Sequence, residues 1–252
     1  MALTLMTSAG IFAPGAQTLA AVSTNTPIAL WLELAPKQNA LVLEIITELA
    51  QEHSTPGRLV PIFPPHATLC TISNLATFPG GWPDLIRRVD QFCATGQEFS
   101  AEVTAVRPLD HRDESFYGDT KSNSWSTFEF ISLEPKGQIQ ALFQMVPSSF
   151  PGFGMRKDPR DATQTQIMPH VSLMYCDPTV SPKVDRERLE STQAGISPLL
   201  PRIPARIQFV GIQVVIPHSQ DWNTLMKDAR ETWDVVYSRR FGESDTAGKP
   251  PK

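Results

Sequence analysis

Two stretches, Phe63-Pro64-Pro65-His66-Ala67-Thr68-Leu69 and Pro169-His170-Val171-Ser172-Leu173-Met174-Tyr175, decide how this chain is read. Each contains proline, histidine, one apolar residue, a hydroxyl residue and leucine in that order. The two histidines stand 104 positions apart and are two of only five in the chain, the others being His53, His111 and His218. A lone His-x-Thr or His-x-Ser is common by chance, whereas the same five-residue context twice is not. His66 to Ser73 and His170 to Tyr175 alternate as strands do, and residues two apart on a strand project to one face. His66 is therefore expected to share a face with Thr68, and His170 with Ser172, while Ala67 and Val171 turn to the core. If the two strands are neighbours, two imidazoles and two hydroxyls converge on one cleft.

Around these motifs the chain alternates strands and helices. Pro27 to Leu34 reads as a strand. Lys37 to Glu52 is an amphipathic helix, with Leu41, Val42, Ile45, Ile46 and Leu49 at helical spacing. A Pro/Gly segment then leads to the first motif. Gly80-Gly81 opens a second helix, Pro83 to Ala94. Glu98 to Leu109 and Ser126 to Leu133 are strands joined by a polar loop, Asp110 to Ser124. Lys136 to Val146 is helical, and Pro147 to Gln166 is a long Pro/Gly-rich loop. After the second motif, Ser181 caps a polar helix to Gln193. Pro204 to Pro217 and Trp233 to Phe241 are strands. The layout predicts an α+β fold: two pseudo-symmetric lobes of mostly antiparallel sheet with outer helices around a central cleft. Residues 1–26 carry no charged side chain and read as a flexible extension, 27–241 as the two-lobed domain, and 242–252 as a disordered tail.

Composition narrows the function. Of 252 residues 41% are hydrophobic and 19% charged, enough apolar content for a substantial core. The net charge of −4 argues against a long polyanionic partner, because nucleic-acid binders carry a basic footprint. A small ligand with one or two phosphates needs only a few donors. Three cysteines, Cys70, Cys93 and Cys176, form neither a CxxC nor a Cys/His cluster, so no disulfide framework and no metal site is expected. No cofactor is expected, nor any membrane span, since no apolar run approaches the required length.

Two histidines and two hydroxyls suit attack on a cyclic phosphodiester. A neutral imidazole serves as general base on water, and a protonated one as general acid to the leaving ribose oxygen. Both forms are accessible near neutral pH. Thr68 and Ser172 can donate hydrogen bonds to the non-bridging oxygens as charge builds there. The spacing does not say which histidine takes which role.

The paired motifs, with Ala29-Leu30-Trp31-Leu32 in the first strand, resemble the 2H phosphoesterase superfamily, and within it the fungal 2′,3′-cyclic-nucleotide 3′-phosphodiesterases. The resemblance runs from Pro27 to Phe241. It implies two lobes about a pseudo-two-fold cleft, with His66 and His170 as proton donor and acceptor and Thr68 and Ser172 on the phosphate. It also implies substrate contact by Tyr175. That residue lies an odd number of positions from His170, so a regular strand turns it away, and a bulge or strand end would be needed. The activity implied is hydrolysis of nucleoside 2′,3′-cyclic phosphates to 2′-phosphates, and opening of ADP-ribose 1″,2″-cyclic phosphate, a by-product of tRNA splicing. A monomer in the cytoplasm is expected, with a Golgi-associated location as the alternative the resemblance implies. The competing functions are an RNA 2′,5′-end-processing or ligase-type enzyme and a phospho-ligand binding module without turnover.

Other features carry less. Trp31, Trp82, Trp125, Trp222 and Trp233 are read mainly as packing, with base stacking as the functional alternative. Arg156, Lys157 and Arg160 sit in the loop before the second motif. Cys70 and Cys176 lie at even offsets from their histidines, which on regular strands puts them on the histidine face. Both are read as small buried residues.

Overall fold

The computed structural model describes residues 27–52, 59–61, 65–72, 74–110, 127–134, 136–153, 169–176, 201–217 and 233–243. Among these residues eight strands form one antiparallel sheet: β1 (Ile28–Leu34), β2 (Leu59–Pro61), β3 (His66–Ile72), β4 (Phe99–Asp110), β5 (Thr127–Leu133), β6 (His170–Cys176), β7 (Arg206–Pro217) and β8 (Trp233–Arg240). Among the described residues three α-helices accompany them: α1 (Pro36–Glu52), α2 (Gly81–Thr95) and α3 (Gly137–Ser149). The fold is α+β, as the sequence predicts. The extension 1–26, residues 111–124, the helix expected at 181–193, His53, His111, His218, Trp125, Trp222, Arg156, Lys157 and Arg160 all lie outside the described residues.

The strands fall into two groups, β3–β1–β7–β8 and β2–β6–β5–β4. These join twice. Ala67 of β3 pairs with Val171 of β6, and Phe99–Glu102 of β4 pairs with 206–209 of β7. The pairings β1–β3–β6–β5–β4–β7–β1 therefore run in a closed circuit. Each group is built on the same unit, a strand, a helix and the motif strand: β1–α1–β3 in one, β5–α3–β6 in the other.

Local chemistry explains the elements. In β1, Ile28, Leu30, Leu32 and Leu34 join the main core, while Ala29 and Trp31 turn to the other face and pack with Val215 and Trp233. Both faces are apolar because β1 is central, paired to β3 and β7 at once. Pro36 opens α1 at the position where a missing N–H costs nothing, and Val42, Ile45 and Ile46 face the core. Gly80, at φ 80, turns the chain into α2, whose Leu85, Val89, Phe92 and Cys93 form the apolar stripe of an amphipathic helix. In α3 the buried set is Ile139, Leu142, Phe143 and Val146.

Two expectations need correction. The third helix does not end at Val146 but continues through Pro147 to Ser149. Proline forfeits one bond, to the carbonyl four residues back. The last turn is closed by Phe150, whose N–H donates to the Val146 carbonyl at 2.8 Å and whose ring is fully buried. The second is β2, three residues inside the segment read as a Pro/Gly linker, which adds to the edge of β6. At the far end, Gly242 donates its N–H to the Cys93 carbonyl at 2.9 Å.

Candidate active site

The two motif strands are neighbours, meeting at Ala67 and Val171. Opposed positions in an antiparallel pair count in opposite directions, so this pair sets His66 across from Ser172 and Thr68 across from His170. The small apolar residue of each motif thus makes the junction, and the histidine of each stands against the hydroxyl position of the other. Ala67 and Val171 are fully buried in the core, which leaves the histidine positions on the opposite face of the sheet. His66 is 5% exposed and His170 8%, and among the described residues they are the only buried polar side chains.

Both motif strands are bulged at the same place. Along β1, Trp31 pairs with Thr68 and Leu30 with Cys70, so Leu69 is the extra residue. Along β5, Phe130 pairs with Ser172 and Glu129 with Met174, so Leu173 is the extra residue. The motif leucine is the inserted residue in each case, and both leucines are buried. A bulge shifts the alternation by one beyond it. On β3 this turns Cys70 away from the histidine face and into the core, correcting the face expected from a regular strand. The buried character expected of it stands, and burial pushes its thiol well up. The side chain of Cys176 lies outside the described residues.

The same shift bears on Tyr175. Its position pairs with Phe128, Ser172 with Phe130 and His170 with Ser132. Positions 128, 130 and 132 alternate on β5, so positions 175, 172 and 170 share one side of β6 despite their odd offset. The bulge that the sequence required for this is present.

One neighbour of the motifs does more than the packing or base stacking expected of it. The Trp31 ring lies against the His66 ring with centroids 3.3 Å apart and planes within 4°. Trp233 backs Trp31 at 5.0 Å. Beside them on β1, Glu33 pairs with His66, and its Oε2 accepts a hydrogen bond from Ser238 Oγ at 3.2 Å. Sequence reading missed Glu33. Its signal was a single carboxylate in the apolar run Pro27 to Leu34, in phase with Trp31 rather than with the core leucines. Burial is the main influence on this carboxyl and pushes it up, while Ser238 and Arg240 pull it down. No group of three or more potential metal ligands occurs among the described residues, and no helix among them is long and apolar enough to cross a membrane.

Solved structures with a similar fold include that of Kluyveromyces marxianus Usb1 with uridine monophosphate, at 15% identity and TM-score 0.43, covering 77% of this chain and 95% of that one. TT0787 of Thermus thermophilus is similar at 13% identity and TM-score 0.49, over 86% and 98% of the two chains. E. coli LigT complexed with NADP+ is similar at 10% identity and TM-score 0.46, over 86% and 99%. Neither a family model nor a curated protein matches the sequence.

Proposed function

We propose that this chain is a 2H phosphoesterase that hydrolyses nucleoside 2′,3′-cyclic phosphates to nucleoside 2′-phosphates, and ADP-ribose 1″,2″-cyclic phosphate by the same chemistry. The observation that carries the reading is the Ala67–Val171 junction, which sets two buried histidines and two hydroxyl positions crosswise on adjacent strands. In this reaction one imidazole takes a proton from water as the water oxygen bonds to phosphorus. The bond from phosphorus to the 3′ oxygen breaks, and the second histidine, protonated, gives its proton to that oxygen. Thr68 and Ser172 hold the non-bridging oxygens, and Tyr175 contacts the substrate. Proton transfer by a positioned side chain contributes about 10²- to 10⁴-fold, and each donor aimed at the developing charge a further ~10²-fold or more. The two histidines supply the proton transfers without a resident metal ion. The acidic balance of the chain favours a small substrate over an RNA strand.

The test is incubation with 2′,3′-cyclic AMP in EDTA, with the product identified by phosphorus NMR. The expected product is 2′-AMP, at a rate EDTA does not change. No turnover by the wild type, or unchanged turnover in His66→Ala, would sink the mechanism. A 3′-phosphate product would reverse the leaving oxygen, and loss of activity with EDTA would remove the metal-free claim.

A further inference from the structure

The histidine face of the first lobe continues past His66 as a row of opposed positions: His66 on β3, Glu33 on β1, Gly211 on β7 and Arg240 on β8. The next row on that face is Thr68, Trp31, Gln213 and Ser238. Trp31 is closed to a ligand, because it is buried with His66 stacked on it and Trp233 behind it. What the lobe presents beyond the histidine is therefore polar. Glu33 and Gln213 are half-buried, and Ser238 and Arg240 are exposed.

These four side chains surround a position that has none. A Cβ on Gly211 would run into the Arg239 carbonyl oxygen, so the close approach of β8 keeps glycine there. The result is a notch with a carboxyl group on one rim and a guanidinium on the other. Its polar groups are only partly used by the fold. Glu33 Oε2 accepts a hydrogen bond from Ser238 Oγ at 3.2 Å, which holds the carboxyl on the β8 side. A carboxylate offers about four lone-pair sites, so most of its accepting capacity is left. Among the described residues neither the Gln213 amide nor the Arg240 guanidinium has a hydrogen bond or an ion pair.

Neighbouring strands lie about 4.8 Å apart, so Gly211, two strands from β3, is about 10 Å from the His66 position. A ribose and a purine ring span that gap when the phosphate lies at the histidines. The bases differ in what their edges offer there. Adenine and cytosine present one amino donor beside a ring-nitrogen acceptor, and uracil one N–H between two carbonyls. Guanine presents two adjacent donors, N1–H and the 2-amino group, beside the O6 acceptor. A carboxyl group receives two adjacent donors, and a guanidinium donates readily to guanine O6.

We propose that the notch at Gly211 is a guanine subsite, in which Glu33 accepts from N1–H and the 2-amino group while Arg240 and Gln213 donate to O6. Guanosine 2′,3′-cyclic phosphate is then the preferred substrate among the four nucleosides. The place of the phosphate rests on the phosphoesterase reading above.

The experiment measures kcat/KM of the full chain for guanosine, inosine and uridine 2′,3′-cyclic phosphates, and by calorimetry the Kd of guanosine 2′-phosphate and uridine 2′-phosphate. The wild type is expected to favour guanosine over uridine about tenfold in both readouts, within the discrimination that one bidentate base contact gives. Inosine, which lacks the 2-amino group, should fall between them. Glu33→Gln replaces one acceptor with a donor and should bring the guanosine-to-uridine ratio close to one. Arg240→Gln, at an exposed position, should lower the ratio as well. No guanosine preference in the wild type, or a ratio unchanged in either variant, would overturn the inference. If cyclic phosphates are opened without base preference, the subsite fails and the proposed function stands. If the 2′-phosphates bind with the guanosine preference, Glu33→Gln removes it, and no cyclic phosphate is turned over, the function fails and the subsite stands.

Discussion

Trp31 lies flat against His66, with ring centroids 3.3 Å apart and planes within 4° of parallel. The stack fixes the plane of the imidazole and directs its nitrogens along that plane. Trp31 is itself buried and backed by Ala29, Val215 and Trp233, so the histidine leans on a second, smaller core on the face opposite the main one.

Trp31→Ala should remove both the packing and the orientation. Truncating a buried tryptophan costs about 3–5 kcal/mol, read as a lower urea midpoint. A misplacement of a catalytic group by about 1 Å costs about 10²-fold in rate. Trp31→Phe should recover most of the stability and much of the turnover. A Trp31→Ala protein with wild-type kcat would show that the stack is packing only.

Thr68 stands across from His170 by the register of the Ala67–Val171 pair. Thr68→Ala should lower kcat about 10²-fold, the usual scale for one donor to a developing oxyanion, with an unchanged melting temperature. Ser172→Ala should behave the same way. A kcat close to wild type in either variant would mean that its hydroxyl is not aimed at the phosphate.

The Glu33 carboxyl is raised in the folded chain, chiefly by burial. A raised carboxyl makes no difference to stability below its unfolded pKa of about 4.3, where both states are neutral. As pH climbs through the folded value, ionisation of the half-buried group reduces stability. Glu33→Gln should therefore match the wild type in urea midpoint at pH 4 and exceed it slightly at pH 7. A variant less stable than wild type at pH 7 would mean that the Ser238 hydrogen bond and the attraction to Arg240 outweigh the cost of burial.

Cys93 sits on the buried stripe of α2, and burial pushes its thiol to about 12. Cys70 is fully buried and pushed up as well. Only the thiolate reacts at a useful rate. Iodoacetamide at pH 8 should leave both residues unmodified in the folded chain, as read by peptide mass mapping, and modify both in urea. Rapid alkylation of Cys70 without denaturant would place it within reach of solvent.

The sheet strands other than β2, and the three described helices, were legible because each depends on local periodicity. The 2.0 repeat of Ile28, Leu30, Leu32 and Leu34 and the 3.6 repeat of Val42, Ile45 and Ile46 are properties of nearby side chains. The boundary at Pro147 was misjudged because proline lowers helical stability by an average amount, and the buried Phe150 ring and its backbone bond outweighed that here. β2 was missed because three residues carry no period, and its partners lie on β6, over a hundred positions away.

For the candidate site, the sequence by itself determined the residue types and their duplication: two Pro-His-apolar-hydroxyl-Leu runs, each with its histidine and hydroxyl two apart. Tertiary structure alone decided that the runs are neighbours, joined at Ala67 and Val171 and crossed so that each histidine stands against the other's hydroxyl position. It alone decided that Leu69 and Leu173 are inserted residues, which takes Cys70 to the core and returns position 175 to the histidine side. And it alone set Glu33 beside one histidine and Ser132 beside the other. The physical reason is that strand pairing and bulges are agreed between two segments. Side-chain alternation within one segment states where a face begins, but only the partner strand, reached across a long loop, states where that alternation slips and what it meets.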